Sequence, residues 1–333
     1  MKTMQKALIL LSACLYLSCT KSEQDNQPTE PMEMTFSTDL TVTTVPVKAD
    51  LYNNDNIISK DNKGNFSVIA YVSGSTTKHF EKTERVFYMY YQEDPSESRW
   101  RFYDSSTNSF YERYWPVERS LDFFAYMPYD LADSHVTVDI NNQTFTCELP
   151  TDKSGQDSTH EFVYAFATGQ KSSSNKGKVN LEFTHPFSAI NFTLGQAQGN
   201  TKIHSVGLTG IYNTGTFSVT SGSWSHPTDS TDMNISVEKT TGASGSEGIQ
   251  TNSHIGGPYL VIPQTTDNIC LTVSYTWNGK KTDASVPLET GNWLAGHMYT
   301  YKLQLGDNQA DIISNVSVVP WTEINYKNNI DIE

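Results

Sequence analysis

The chain has 333 residues, with 37 Asp and Glu against 23 Lys and Arg and a formal net charge of −14. That balance argues against a nucleic-acid partner, whose affinity comes from Lys and Arg neutralising phosphates, and against electrostatic docking to an anionic lipid surface. Aromatic residues make up 12% of the chain, too many for disorder, and the length suggests two domains.

Lys2 and Lys6 precede an apolar run from Ala7 to Leu17, far shorter than the roughly 20 residues a bilayer span needs. The pattern predicts a secretory signal. The run ends in Leu17-Ser18-Cys19 and gives way to the polar stretch Thr20 to Glu30. A small residue before Cys, with polar chain after it, has the form of a bacterial lipoprotein signal in which the Cys thiol is acylated. Leu11-Ser12-Ala13-Cys14 has similar letters but leaves only about seven apolar residues ahead of it, the short limit for such a run. Cys19 is therefore the expected lipidation site, with Cys14 and an ordinary secretion signal as alternatives. Residues 1–18 are then the signal and 19–33 a flexible tether. Two or more acyl chains give a stable anchor, so the protein is expected to be held at a membrane without spanning it. Only Cys147 and Cys270 remain beyond the tether. They sit on the apolar side of one strand pattern and the polar side of another, so a disulfide scaffold is not expected.

Period-two alternation dominates the rest. Strands are predicted at 34–42, 66–72 and 86–91, and then at 99–103 and 110–115 about a hairpin loop. Further strands are predicted at 121–126 and 144–149; Phe162 to Thr168 is either a strand or one helical turn. The polar run Gly169 to Lys178 lacks apolar residues and reads as a linker. Beyond it the alternation resumes at 179–183, 190–194, 203–208, 216–220, 259–262, 269–277, 298–305 and 315–319, with a loop at 242–248. Many short strands separated by turn residues predict an all-β chain of sandwiches. The domains expected are 34–170 and 179–333, joined by a linker at 171–178.

Sequence signatures of catalysis are missing. The closest two of the eight histidines are nineteen residues apart, and no local His or Cys pair could seed a metal site. No phosphate loop, dinucleotide fingerprint or nucleophile elbow is present, so neither enzyme activity nor a cofactor is expected. The strongest local anomaly is aromatic. Residues 87–129 hold fifteen Phe, Tyr or Trp, and the other 290 positions hold 24. Trp100 and Trp115 are candidate rings for stacking on a glycan. The competing reading is that these large side chains fill the space between two sheets.

Several pieces stand in one recognisable order: Phe66-Ser67-Val68-Ile69-Ala70-Tyr71, Tyr114-Trp115-Pro116, Leu121-Asp122-Phe123-Phe124-Ala125-Tyr126-Met127-Pro128 and Glu161-Phe162-Val163-Tyr164-Ala165. Leu181-Glu182-Phe183-Thr184-His185-Pro186-Phe187-Ser188, Leu260-Val261-Ile262-Pro263-Gln264 and Trp293-Leu294-Ala295-Gly296-His297-Met298-Tyr299 follow. With the Cys19 signal, they give a chain that resembles the fimbrillin-like proteins of Bacteroidales, subunits of type V pili and their relatives. The resemblance implies two tandem transthyretin-like β-sandwiches, export to the outer membrane as a lipoprotein, and polymerisation with other pilus subunits. It also implies proteolytic removal of a first strand and its replacement by an extended strand of a neighbour. On that expectation Phe36 to Val47 is the removable strand and Lys48 the candidate processing site, with Lys60 and Lys63 as competitors. Ile312 to Val319 is a candidate donor strand, or else the last strand of the second sandwich. The alternative function is a monomeric glycan-binding outer-membrane lipoprotein.

Overall fold

The computed structural model describes residues 31–40, 64–89, 91, 93–197, 199–243, 245, 248–306 and 313–320. Cys14, Cys19, Lys48, Lys60 and Lys63 lie outside the described residues. The first half holds β1 (Thr35–Leu40), β2 (Asn65–Val72), β3 (Glu84–Met89), β4 (Arg99–Asp104), β5 (Ser109–Tyr111), β6 (Leu121–Met127), β7 (Val136–Asp139) and β8 (Thr144–Glu148). The short helix α1 (Lys153–Ser158) and β9 (Val163–Gln170) follow. The second half holds β10 (Lys178–Phe183), β11 (Ser188–Ala197), β12 (Lys202–Ile211), β13 (Thr214–Ser218), β14 (Ser223–Ser225), β15 (Thr231–Thr241) and β16 (Gly248–Ile249). It ends with β17 (His254–Val261), β18 (Cys270–Trp277), β19 (Lys280–Pro287), β20 (His297–Leu305) and β21 (Ile313–Pro320).

The all-β architecture expected from the alternation is present, in five sheets. A six-stranded sheet runs β5-β4-β3-β2-β6-β9, β1 pairs in parallel with β10, and a four-stranded sheet runs β14-β13-β8-β7. The other two run β17-β11-β20-β21 and β16-β15-β12-β18-β19. Side chains alternate as period two requires. In β18, Leu271, Val273 and Tyr275 are buried while Cys270, Thr272 and Ser274 are half-buried. Its hairpin to β19 turns at Asn278 and Gly279, both at positive φ, the conformation that makes Asn-Gly a tight hairpin turn. β6 departs from alternation. All seven of its residues are buried, because the sheet is covered on both faces there, and a doubly covered strand reads as a continuous apolar run.

Two hydrophobic cores result. The first gathers β1 to β10 with Phe217, Val219, Leu260, Ile262 and Met298; the second gathers β11, β12 and β15 to β20. The polar run 171–178 does not separate them. β10, placed by the sequence in the second body, buries Val179, Leu181 and Phe183 in the first core. The hairpin β13–β14 also crosses over, and β13 pairs with β8. The sheet β17-β11-β20-β21 is a shared wall. Leu260, Ile262, Ala189 and Met298 face the first core, and their neighbours Tyr259, Val261, Ile190 and Tyr299 face the second.

A single side chain fastens α1 to this wall. Gln156 is fully buried; its amide nitrogen donates to Pro150 O at 2.7 Å and Leu260 O at 3.0 Å, and its Oε1 accepts from Leu260 N at 2.9 Å. The amide thus replaces the partner strand that β17, at the sheet edge, lacks. Around it, Leu149 N donates to Asn213 O at 2.8 Å and Asn234 N to Thr151 O at 2.9 Å. A second buried group ties strand ends together. The Asp122 carboxylate accepts from Ser73 Oγ at 2.7 Å, Gly74 N at 3.0 Å and Gly169 N at 2.6 Å. Burial alone would raise its pKa, but these three hydrogen bonds outweigh burial and hold it below the ordinary carboxylate value.

Gln156→Ala leaves the Leu260 N–H and C=O buried without partners, and is expected to lower stability by about 2–3 kcal/mol, read from the midpoint of urea unfolding. The stability that Asp122 confers is complete above the ordinary carboxylate pKa of about 4 and is lost as pH falls through its lower folded value. Asp122→Asn is therefore expected to destabilise by about 1–3 kcal/mol at neutral pH. In unfolding curves taken down to about pH 3, its deficit against the parent protein should shrink.

Candidate functional site

The N-terminal described segment is held along its length by two partners in turn. Trp115 N donates to Met32 O at 3.0 Å and Met34 N to Arg113 O at 2.7 Å. Glu33 bridges Tyr114 in the antiparallel sense. The segment then continues as β1, in parallel register with β10 from Thr35 opposite Lys178 to Leu40 opposite Phe183. Close approach is possible because Gly177 has φ +79; a Cβ there would lie 2.8 Å from the Glu33 carbonyl oxygen and 2.9 Å from Met32 Sδ. The facing strand is itself braced. Buried Glu84 accepts from the Tyr111 hydroxyl and the Arg113 guanidinium. Burial, reinforced by Glu84, pushes the Tyr111 phenol well above its ordinary range.

Phe36 is the anchor of β1. It is 4% exposed and meets Phe66, Phe102 and Phe123 edge-on at centroid distances of 5.5, 5.4 and 6.0 Å, the arrangement aromatic quadrupoles favour. Two residues along, the fit is poorer. The Thr38 hydroxyl oxygen is shielded from solvent and has no hydrogen-bond partner among the described residues, a deficit of about 1–3 kcal/mol. Among the described side chains of β1, Phe36 is thus a strong anchor and Thr38 a defect, and residues 41–63, among them Lys48, intervene between the strand and Gly64.

At the other end of the chain, β21 is the edge strand of the shared wall and among the described residues pairs only with β20, His297 opposite Pro320 through Leu303 opposite Ile313. Val316 is 38% exposed and Val318 50%. Both line a cavity of about 470 Å³ with Leu288, Trp293, Tyr299 and Tyr301. In the folded chain, then, the segment expected to be either a donor or a last strand occupies the last-strand position, with apolar side chains only partly covered.

The tryptophans singled out for glycan stacking are elsewhere. Trp100 is 3% exposed and packs on Phe66 at 4.8 Å and Tyr88 at 5.2 Å. Trp115 is 7% exposed, stands against Phe123 at 5.7 Å, and donates its indole N–H to Gly177 O at 2.8 Å. Neither presents a ring face to solvent. Alternation puts Trp100 with Phe102 on the inward side of β4, a reading available from the sequence; Trp115 lies between β5 and β6. Cys147 and Cys270 are free thiols, and burial pushes Cys147 up to about 12, leaving it inert as a nucleophile. His185 Nδ1 and Glu161 Oε1 form a buried pair at 2.5 Å. No group of three His, Cys, Asp or Glu among the described residues could hold a metal ion.

The family model described as Fimbrillin-like matches residues 43–321. Among solved structures, a fimbrial protein from Bacteroides vulgatus matches with a TM-score of 0.58 at 18% identity, covering 87% of this chain and all of that one. A putative cell adhesion protein from Bacteroides uniformis matches with a TM-score of 0.51 at 17% identity, covering 88% of this chain and 99% of that one. Both share the fold. No curated sequence matches the chain.

The two halves of the β1 contact are separable by substitution. Phe36→Ala should destabilise by about 3–5 kcal/mol, whereas Thr38→Val, which removes the unpartnered hydroxyl at constant shape, should stabilise by about 1 kcal/mol. Urea unfolding of the two variants beside the parent protein measures both signs.

Proposed function

The chain belongs to the fimbrillin-like family, a structural and non-enzymatic one, and from that premise we propose that it is a subunit of a surface fimbrium that joins other subunits by strand exchange and contributes to adhesion. In this reading Cys19 carries the lipid that tethers the newly exported subunit to the outer membrane. Cleavage after Lys48 then severs β1 from the rest of the chain. Only non-covalent contacts, with Arg113, Trp115, β10 and the rings of Phe66, Phe102 and Phe123, would hold it afterwards.

Departure of β1 would leave the edge of β10 unpaired and the ring nest of Phe66, Phe102 and Phe123 open. An unpaired edge beside an apolar groove is a template for an incoming strand: main-chain bonds supply affinity, and alternate side chains fill the pockets. The β21 segment has the required alternation in Val316 and Val318. The observation that carries the proposal is the contrast between Phe36 and Thr38. A resident strand with one deep anchor and one buried unpartnered hydroxyl can be outcompeted by a strand with a branched apolar residue at the second position. That difference gives the exchange its direction.

The test is limited trypsin digestion of the purified protein, followed by electrophoresis without boiling. Cleavage mapped to Lys48 should produce a ladder of detergent-resistant multimers, and Lys48→Gln should stay monomeric under the same digestion. Paired Val316→Asp and Val318→Asp changes should allow cleavage yet abolish the ladder. Clean cleavage at Lys48 that leaves only monomer would sink the proposal.

A further inference from the structure

The five arginines of the chain all fall within residues 85–119, although the protein as a whole is acidic. Three of them share one surface. Arg85 on β3 and Arg99 and Arg101 on β4 alternate with buried Val86, Trp100 and Phe102, so they project from the opposite side of the six-stranded sheet. The register places Arg85 beside Tyr103, Phe87 beside Arg101 and Met89 beside Arg99, with Phe110 of β5 next to Tyr103.

On the β2-β6-β9 half of this same side, the sheet β14-β13-β8-β7 lies over the surface: Phe145 meets Phe162 at 4.7 Å and Tyr164 at 5.9 Å, and the Tyr71 hydroxyl donates to Ile140 O at 2.6 Å. The β3-β4-β5 half has no such cover among the described residues. Phe87, Tyr103, Phe110 and Tyr129 neither belong to nor pack against either hydrophobic core. They pack on each other and on arginine instead. Phe87 meets Tyr103 at 4.8 Å, and Tyr103 meets Phe110 at 5.2 Å. The Arg101 guanidinium lies 5.6 Å from the Phe110 ring centre. Arg85 is held between two rings, 4.3 Å from Phe87 and 4.2 Å from Tyr129.

Arg85 is also short of partners. A guanidinium has five N–H donors. The bond seen is one from Nη2 to Asn65 Oδ1 at 3.4 Å, Nε is shielded without a hydrogen bond, and no carboxylate among the described residues pairs with Arg85 or Arg101. Nearby acids are engaged elsewhere. Glu84 holds Tyr111 and Arg113, Glu97 lies 3.8 Å from Arg99, Asp104 accepts from Ser106 N and Oγ at 2.8 and 2.6 Å, and Asp130 accepts from Ala132 N at 3.1 Å. Two cavities of about 420 and 540 Å³ open on this face, and both are lined by Thr83, Arg85 and Tyr129. Such volumes suit small ring-shaped ligands more than a protein surface.

We propose that this arginine–aromatic face is a docking site for carboxylated saccharide chains. A uronic or sialic acid unit supplies what the face lacks: a carboxylate that can pair with the forked guanidinium donors of Arg85, rings that lie against Tyr129 and Tyr103, and hydroxyls for Thr83. Charge complementarity selects an acidic chain over a neutral one. It also sets this site apart from strand exchange, which involves the opposite side of the sheet, so the two proposals stand or fall separately.

The experiment is calorimetric titration of the unprocessed full chain with trigalacturonate, a hyaluronate tetrasaccharide and sialyllactose, each at low and raised salt. At least one should bind, more weakly as salt rises, and its methyl-esterified, uncharged form should bind at least about tenfold more weakly, the loss expected for a charge-assisted pair. Arg85→Gln and Tyr129→Ala should each weaken binding by at least about tenfold with the circular dichroism spectrum unchanged, and Lys281→Gln on β19 should not. Silence on all three acidic probes would overturn the proposal, as would equal binding of the ester. Two folded face variants that bind like the parent would do the same. Should Arg85→Gln instead dissolve a self-association of the parent protein while the saccharides stay silent, the face would belong to a second, acidic copy.

Discussion

Successive side chains of a strand point to opposite faces, and in the β17-β11-β20 wall both faces are buried. Tyr259 and Val261 enter one core while Leu260 and Ile262 enter the other. One layer of backbone therefore serves two hydrophobic cores, and neither can be disturbed at the wall without the other registering it. A one-residue slip of β17 would exchange the two sets of side chains wholesale, so the wall fixes register as well as adhesion. It also explains why Gln156 must reach across from α1. A buried edge strand has main-chain groups that water cannot satisfy, and a side-chain amide is the one group with the same donor–acceptor pair as a peptide.

The same logic of edges runs through the molecule. β17 has its edge closed by an amide, β8 by a hairpin contributed from the other half, and β10 by the N-terminal described segment in parallel register. Of the three closures, the last lies at an end of the described chain, seated in the first core by Met34 and Phe36. Gln156 and the β13–β14 hairpin are locked by continuous chain on both sides. Two of these edges are therefore closed from within continuous chain, and one by a segment near the N-terminus. The bracing of Arg113 by Glu84 stiffens the segment on which the N-terminal residues lean.

Much of this was legible in residue order. Phe66 to Val72, Leu121 to Tyr126 and Ile269 to Trp277 read as strands because their alternation or continuous burial is local. β15 is absent from the sequence reading altogether: Met233, Ile235 and Val237 do alternate, but among Thr, Asp, Asn and Ser they make a faint pattern. β19 was missed for its polar residues, although the Asn278-Gly279 turn before it is a strong hairpin signal. The assignment of β10 failed for a different reason. Val179, Leu181 and Phe183 announce a strand, but the core it serves is set by β1, some 140 positions upstream, and no local pattern carries that information. The tryptophans fail in the same way: the abundance of aromatic rings is visible in residue order, whereas Trp100 and Trp115 are buried on the side of the six-stranded sheet that β1 and β10 cover, opposite Arg85 and Arg101.

That half-covered sheet leads to the last step. An aromatic-rich strand pair whose outer face is left bare would normally invite aggregation through its rings. Here Phe87, Tyr129 and Phe110 each lie against a guanidinium, a planar cation that can stack on a ring while keeping its charge. Lysine would not serve as well, since its ammonium is a compact, strongly hydrated point charge, which accounts for the use of arginine in this stretch of a chain whose other cations are all lysine. The arrangement keeps an apolar surface soluble and, by the same contacts, holds a guanidinium in one orientation before any ligand arrives. Preorganisation of that kind reduces the entropy lost on binding. Solubility and recognition therefore place the same demand on Arg85, and Phe87 and Tyr129 meet it for both.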